Sequence, residues 1–480
     1  MSTHWSIDDL KRWDARIRER VAEAGLSCFP QEFEICDQEQ MLGYMAYSGM
    51  PAHYPHWSYG KNFEKQKTLY NYGASGLPYE MVINSNPSLA YLLRDNSLSL
   101  QILTMAHVYG HNDFFKNNFT FRDTRPDLTL EMFKVRADRV RAYTEDPSIG
   151  VDAVEGLLDA AHALSLQCRR NLAIRKLPEK EQKERRQTAR PAADPFHKIH
   201  KPPTPPEPDV PRLPIEPEED LLLFIRDHNP HLAEWEKDLL TIVHEQARYF
   251  VPQIETKIMN EGWASYWHHR IMNDLGLPPD LQIEFLVHHA QVVRPHPGRI
   301  NPYYLGFKIW DDIRRRCDEP TAHEIERAGP PEKSGIEQMV EVRESDRDSS
   351  FLRRFLTPEL MRELDIFEYE RRDDQMVVTH ISDDDDWQRV KETLIANTGM
   401  GPIPVIRIVD ADYGHSRHLC LEHAHDGRDL DVEYAERTLA YLCRLWGRRV
   451  LLRTVSQSTE CIFVYDDSGF SRMAGAEGTT

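Results

Sequence analysis

Gln101-Ile-Leu-Thr-Met-Ala-His-Val-Tyr-Gly-His-Asn-Asp-Phe-Phe115 carries the most chemistry in this chain. Its spacing predicts a helix over residues 97–115, on which His107 and His111 share one face about a single turn apart. Two imidazoles placed that way can chelate one divalent ion. Met105, Ala106, Val108 and Phe114 set an apolar face beside them, so the two rings are expected to point into an interior cleft. Gly110 leaves room for close packing or for a ligand. Asn112 and Asp113 follow as outer hydrogen-bond acceptors for the imidazoles. The competing reading is a pair of ordinary core histidines with satisfied ring nitrogens.

A second stretch, Met259-Asn-Glu-Gly-Trp-Ala-Ser-Tyr-Trp-His268, offers a carboxylate from another helix. Its Glu-Gly-Trp-Ala-x-Tyr pattern is similar to the third-ligand helix of glutamate-type zinc peptidases, which makes Glu261 the candidate third metal ligand. His268 lies two turns further along the same face and is a fourth candidate, with His269 beside it. The plain alternative for Glu261 is a cap or a buried ion pair. Zinc suits this donor set. Val108 stands where those peptidases carry the catalytic Glu of H-E-x-x-H. A base must then come from elsewhere, and Glu245 and Glu255 are the acidic candidates. Tyr266 or Tyr109 would stabilise an oxyanion. In Arg294-Pro-His-Pro-Gly-Arg-Ile-Asn-Pro-Tyr-Tyr304, Arg299 and Asn301 sit on a proline-stiffened loop. Arg299 there would clamp a substrate carboxylate or tie loop carbonyls together. His415, His418, His423 and His425 look like another cluster, but alternate hairpin positions face opposite sides, so they read as a solvated strand face.

Four stretches resemble the stage V sporulation protein R (SpoVR-like) family: His107-Val-Tyr-Gly-His-Asn-Asp-Phe-Phe-Lys-Asn-Asn118, Lys257-Ile-Met-Asn-Glu-Gly-Trp-Ala-Ser-Tyr-Trp-His268, Asn301-Pro-Tyr-Tyr-Leu-Gly306 and Ser349-Ser-Phe-Leu-Arg-Arg-Phe355. The resemblance runs through most of the chain. It implies a bacterial or archaeal cytoplasmic protein tied to spore cortex formation or to stress and starvation responses. It also implies a genetic neighbour, a PrkA-like serine kinase, as a pathway partner. The family name brings no settled reaction. Two classes of function therefore stand open: a metal-dependent hydrolase of peptide or amide bonds, and a non-catalytic regulator or scaffold with a degenerate zincin-like site.

Composition narrows the partners. Acidic residues outnumber basic ones, 78 against 59, for a net charge of −19. That balance disfavours a phosphate-facing surface, so no nucleic acid is expected, nor docking on anionic lipid. No stretch approaches about 18 uninterrupted apolar residues, so no membrane insertion is expected. Seven scattered cysteines without a Cys-x-x-Cys read as reduced thiols of a cytoplasm. No P-loop, G-x-G-x-x-G or G-x-S-x-G motif occurs.

Periodicity predicts an α+β protein: a mainly helical, zincin-like N-terminal region and a C-terminal α+β domain with an antiparallel sheet. Residues 1–177 are read as the histidine-pair half of the main domain and 218–330 as its helical second half. Residues 331–365 are a helical connection, 366–467 the C-terminal domain in β-β-α-β-β-α-β-β order, and 468–480 a flexible tail. A short strand is expected at 79–84 and a loop-rich aromatic stretch at 44–72. Between the halves, residues 178–217 hold eleven of the 31 prolines and read as an extended linker or insertion. Deleting residues 183–214 should therefore shift the melting temperature by less than about 10 °C, a scan that checks whether the segment packs against a domain.

Overall fold

The computed structural model describes residues 5–72, 80–170, 176–178, 180–182, 213–295, 300–366, 369–372, 375–378 and 384–475. They fall into two compact units, Met1–Arg141 with Tyr249–Pro402, and Ala142–Arg248 with Ile403–Thr480.

The first unit opens with helix α1 (Ile7–Glu23), whose N-terminus is closed by a capping box between Ser6 and Asp9. Leu10, Trp13, Ile17 and Val21 form its buried stripe. Strand β1 (Gln31–Cys36), helices α2 (Gln38–Ala46) and α3 (Trp57–Asn71), and strands β2 (Glu80–Ile83) and β3 (Ser88–Leu93) follow. The sheet order is β1-β3-β2, with β3 parallel to β1 and antiparallel to β2. Next comes α4 (Leu98–Asn117), the histidine helix, buried at every position from Ser99 to Phe115. The chain leaves this unit along α5 (Thr129–Glu145).

In the second unit run α6 (Val151–Leu164), α7 (Leu221–His228) and most of α8 (Glu234–Glu255). The last turns of α8 return to the first unit, where α9 (Lys257–Asp274), α10 (Pro279–Val292), α11 (Pro302–Asp318) and α12 (Ala322–Ala328) follow. Helices α13 (Gly335–Ser345), α14 (Asp348–Phe355) and α15 (Pro358–Glu363) come next. Strands β4 (Tyr369–Arg372) and β5 (Gln375–Val378) and helix α16 (Asp384–Ala396) complete that unit. The second unit is then finished by β6 (Ile406–Tyr413), β7 (His418–His423), α17 (Val432–Trp446), β8 (Val450–Ser456), β9 (Thr459–Asp466) and β10 (Gly469–Ala474). Its five strands are ordered β10-β9-β8-β7-β6, antiparallel except for the β7–β8 pair, which α17 joins as a crossover.

Tight helix crossings position the site. A Cβ on Gly110 of α4 would lie 2.6 Å from Cα of Ala264 in α9. One on Gly306 of α11 would lie 2.1 Å from the Ile258 carbonyl oxygen, and one on Gly262 would lie 2.3 Å from the Gly306 carbonyl carbon. The glycines of the Glu-Gly-Trp and Tyr-Tyr-Leu-Gly motifs thus face each other across one crossing. Asp348 fixes the start of α9 by accepting from the backbone N–H groups of Ile258 and Met259 at 2.8 and 2.9 Å. Trp310 donates to the Met259 carbonyl, and its ring lies 4.7 Å from that of Phe351, which accounts for the aromatic part of the Ser349–Phe355 motif.

Several expectations need correction. The division does not follow the boundary at 177: residues 142–170 and 218–248 cluster with the C-terminal sheet. The hairpin β4–β5 is a separate two-stranded sheet and α16 lies in the first unit, so neither belongs to the five-stranded domain. Gly469–Ala474, expected in a flexible tail, forms edge strand β10 against β9. The stretch 44–72 contains the whole of α3, whose first turn is capped by the His56 side chain. Residues 183–212 of the expected linker lie outside the described residues. Just beyond them, Ala411 donates to the Leu213 carbonyl and Glu218 bridges to Ile408, so the return of the segment is anchored on β6.

The crossings predict opposite outcomes for two glycine substitutions. Gly306→Ala should cost at least about 3 kcal/mol, because backbone atoms must separate to admit the methyl group. Gly43→Ala, in the interior of α2 with nothing near the added methyl, should stabilise by about 0.5–1 kcal/mol. Denaturant unfolding of the two variants measures both.

Candidate metal centre

His107 and His111 project from α4 toward α9 with their rings 4.6 Å apart and nearly perpendicular. The outward nitrogen of each is occupied. His107 Nδ1 lies 2.9 Å from His268 Nδ1, and His111 Nδ1 lies 2.9 Å from Asn260 Oδ1. Since an amide oxygen only accepts, His111 carries its proton on Nδ1 and leaves Nε2 with a free lone pair. The two Nε2 atoms converge on Glu261, whose Oε2 lies 3.7 Å from His107 Nε2 and 3.4 Å from His111 Nε2. Glu80, the first residue of β2, brings Oε1 to 3.9 Å from His107 Nε2. The ligand atoms of Glu80, His107 and His111 all fall within 4.8 Å of one another.

The electrostatics are those of a closed polar cluster. Burial works to raise the Glu261 carboxyl, but the neighbouring His107 and His111 imidazoles outweigh it and hold the group well below the usual carboxylate range. Burial raises Glu80, opposed by the two imidazoles and reinforced by the Glu261 charge. Burial would lower His111, yet the Glu261 carboxylate beside it raises it. His268 is driven well below its ordinary value by burial and by the neighbouring His107 and His289, so it stays neutral.

The donor set fits a divalent ion. His107 Nε2 and Glu261 Oε2 are buried without a hydrogen-bond partner, a cost of about 1–3 kcal/mol for each such polar atom. Two donors at about 2.1 Å from one tetrahedral ion stand roughly 3.4 Å apart, close to the separations of Glu261 from the two imidazoles. Beside the cluster lies a cavity of about 270 Å³. Glu80, Leu103, His107, His268, Val292 and Tyr303 are in its wall, and the Tyr303 ring stacks on His107.

The other residues singled out in the sequence lie elsewhere. His268 has both ring nitrogens engaged, the second at 2.8 Å from His289 Nδ1, so it backs His107 in a three-histidine chain rather than facing the ion position. Glu255 is ion-paired with Arg347 at 2.9 Å. Glu245 falls in the second unit. Tyr266 packs in the core against Trp267 and accepts from Arg270, while Tyr109 donates to Asp14. Asn301 caps α11 and donates to the carbonyls of Val292 and Arg294. Arg299 lies outside the described residues. Asn112 binds Phe29 and Gln31, and Asp113 accepts from Ser27, Trp263 and Arg343, so neither serves a histidine of the site. The sequence reading missed Glu80, Asn260, His289 and Tyr303. For Glu80 a signal existed: a lone acid opening an apolar strand just ahead of the histidine helix.

Of the C-terminal histidines, His423 is buried and bonded to Thr454, while His415 is exposed. None of the seven cysteines is in a disulfide. Among the described residues no helix is long and apolar enough to cross a membrane.

Fold and site together define a mainly helical protein with a buried cluster of two histidines and two glutamates, joined to a small α/β sheet domain. The SpoVR like protein family model matches residues 4–403, and the SpoVR-like C-terminal domain model matches residues 404–457. The chain belongs to the SpoVR family. The seam between the two matched regions falls where the second compact unit resumes, at Ile403. A curated relative described as the uncharacterized protein YcgB, from Escherichia coli strain K12, is 34% identical over 495 residues, covering 93% of this chain and 92% of that one. No solved structure matches.

Zinc titration of the purified protein should saturate near one equivalent and be abolished by His107→Ala or His111→Ala. His268→Ala should retain the site but weaken binding by about 10–100-fold, because the imidazole it orients is set free to turn. Competition with a chromophoric chelator measures both effects.

Proposed function

We propose that this SpoVR-family protein is a divalent-metal-dependent hydrolase acting on a peptide or other amide bond. His107, His111 and Glu261 hold the ion, and zinc is the metal their chemistry suits best. One observation carries the reading: two buried, unpartnered donor atoms, His107 Nε2 and Glu261 Oε2, aim at one point beside a cavity of about 270 Å³. A bound ion would supply a polarising charge to a substrate carbonyl. The protein's own groups supply the rest. His268 and Asn260 hold the two imidazoles in register, and the Leu103 and Val292 side of the cavity excludes water from the scissile bond. The β2 edge, two-histidine helix and glutamate helix together support a zincin-like arrangement of the first unit.

The family setting gives the biological side of the proposal: a role in spore cortex formation or in stress responses, alongside a PrkA-like serine kinase. A second reading is favoured by one residue. Val108 occupies the place of the usual catalytic glutamate, which suits a regulator whose ion only braces the fold. The two are separated by incubating zinc-loaded protein with a pool of internally quenched peptides. Chelator-sensitive cleavage, lost in His111→Ala, is the expected result. No cleavage, together with a zinc-dependent rise in melting temperature, would assign the ion to stability alone.

A further inference from the structure

Resting on the metallohydrolase reading, we propose that Glu80 is the proton-handling carboxylate of the site, and that Glu261 serves only to hold the ion. The two carboxylates reach the histidine pair from different elements and meet different surroundings. Glu261 comes from α9, lies within 3.4 and 3.7 Å of the two Nε2 atoms, and its Oε2 is sealed from solvent. It takes no part in the cavity wall. Glu80 comes from edge strand β2, lies 3.9 Å from His107 Nε2 with its ligand atom within 4.8 Å of those of both histidines, and stands in the cavity wall. A group that only holds the ion can sit sealed against both imidazoles. A group that moves a proton must see the substrate. Glu261 fits the first description and Glu80 the second.

Position 108 leaves this role vacant. Val108 is fully buried and apolar, so α4 offers no carboxylate next to His107. Among the described residues, Glu80 is the carboxylate in the cavity wall next to that histidine. Its chemistry is balanced. Glu80 takes one proton from a water as the water oxygen bonds to the substrate carbonyl carbon and the π pair moves onto the carbonyl oxygen. The proton then passes from Glu80 to the leaving nitrogen as the C–N bond breaks and its electron pair stays with nitrogen. Carboxylic acid and amine are released, and Glu80 is again a carboxylate.

The test compares zinc-loaded wild type with Glu80→Gln and Glu261→Gln. It reads zinc affinity by chelator competition and binding of acetohydroxamate, a small bidentate metal ligand whose acidic proton needs a nearby acceptor. Glu80→Gln should keep zinc within about threefold, whereas Glu261→Gln should weaken it by at least about tenfold. Acetohydroxamate should bind the wild type and weaken by about tenfold or more in Glu80→Gln, which has lost the charged acceptor. Glu80→Ala, with circular dichroism of each variant, guards against a folding defect and should behave as Glu80→Gln does. Loss of zinc from Glu80→Gln to the extent seen for Glu261→Gln would make Glu80 a ligand and overturn the proposal. Undiminished acetohydroxamate binding by Glu80→Gln would overturn it as well. A wild type that binds no zinc, or binds zinc but no acetohydroxamate, would instead bring down the metallohydrolase reading and this assignment with it.

Discussion

The larger unit depends on near-contact of helix backbones, and at the site it is α4 and α9 that meet, at Gly110 and Ala264. Any side chain on Gly110 would meet the Ala264 backbone at 2.6 Å, so this crossing admits only a glycine there. His107 and His111 flank that point on one helix, and Glu261 and His268 flank it on the other. The pairing of His107 with His268 and of His111 with Asn260 shows the two helices running antiparallel through the contact. Side chains one turn from a near-touching crossing have little choice but to meet. The polar cluster is a consequence of that contact, and Gly262 with Gly306 repeats the device on the far side of α9.

Burying so many ionisable groups is costly unless each finds a partner. Two buried carboxylates in this unit resolve the cost in opposite ways. Asp113 is saturated: it accepts from Ser27, Trp263 and Arg343, and burial raises its carboxyl against the pull of the arginine. It is a structural tie between α4, α9 and α13. Glu261 has two imidazoles, no arginine, and an inner oxygen without a donor. The histidines themselves are satisfied on their outer nitrogens and open on the inner one. The proposed divalent ion would give Glu261 Oε2 and His107 Nε2 the partner that each lacks.

How much of this was legible in the sequence follows from the range of each signal. Local signals carried well. The Ser6/Asp9 capping box, the 3.6-residue stripe of α1 and the amphipathic α17 are set by neighbours within a turn or two. His107, His111 and Glu261 were legible because helical spacing and a long motif placed them. Glu245, Glu255, Tyr266 and Asn301 were chosen by residue type alone, and their partners (Arg347 for Glu255, the Val292 and Arg294 carbonyls for Asn301) come from contacts no local pattern encodes. His268 was placed on the correct helix face, yet the fate of its two nitrogens depends on His289, which lies on α10. Strands β1 and β3 escaped because their pairing is with each other across 57 residues, from Gln31 to Ser88. The domain seams were obscured for the same reason, since α5 and α8 run through them without a break in helical pattern.

Val108 completes the physical picture. In a helix buried on every side, a glutamate at that position would have to aim into the cluster or pay the full cost of desolvation. With Glu80 already delivered from the β2 edge, a third carboxylate there would crowd two others beside the histidine pair and add like-charge repulsion. The valine packs instead, fully buried. Strand β2 can therefore carry the acid that the helix lacks, and the valine in the His-x-x-x-His run and the presence of Glu80 become two sides of the proposed arrangement.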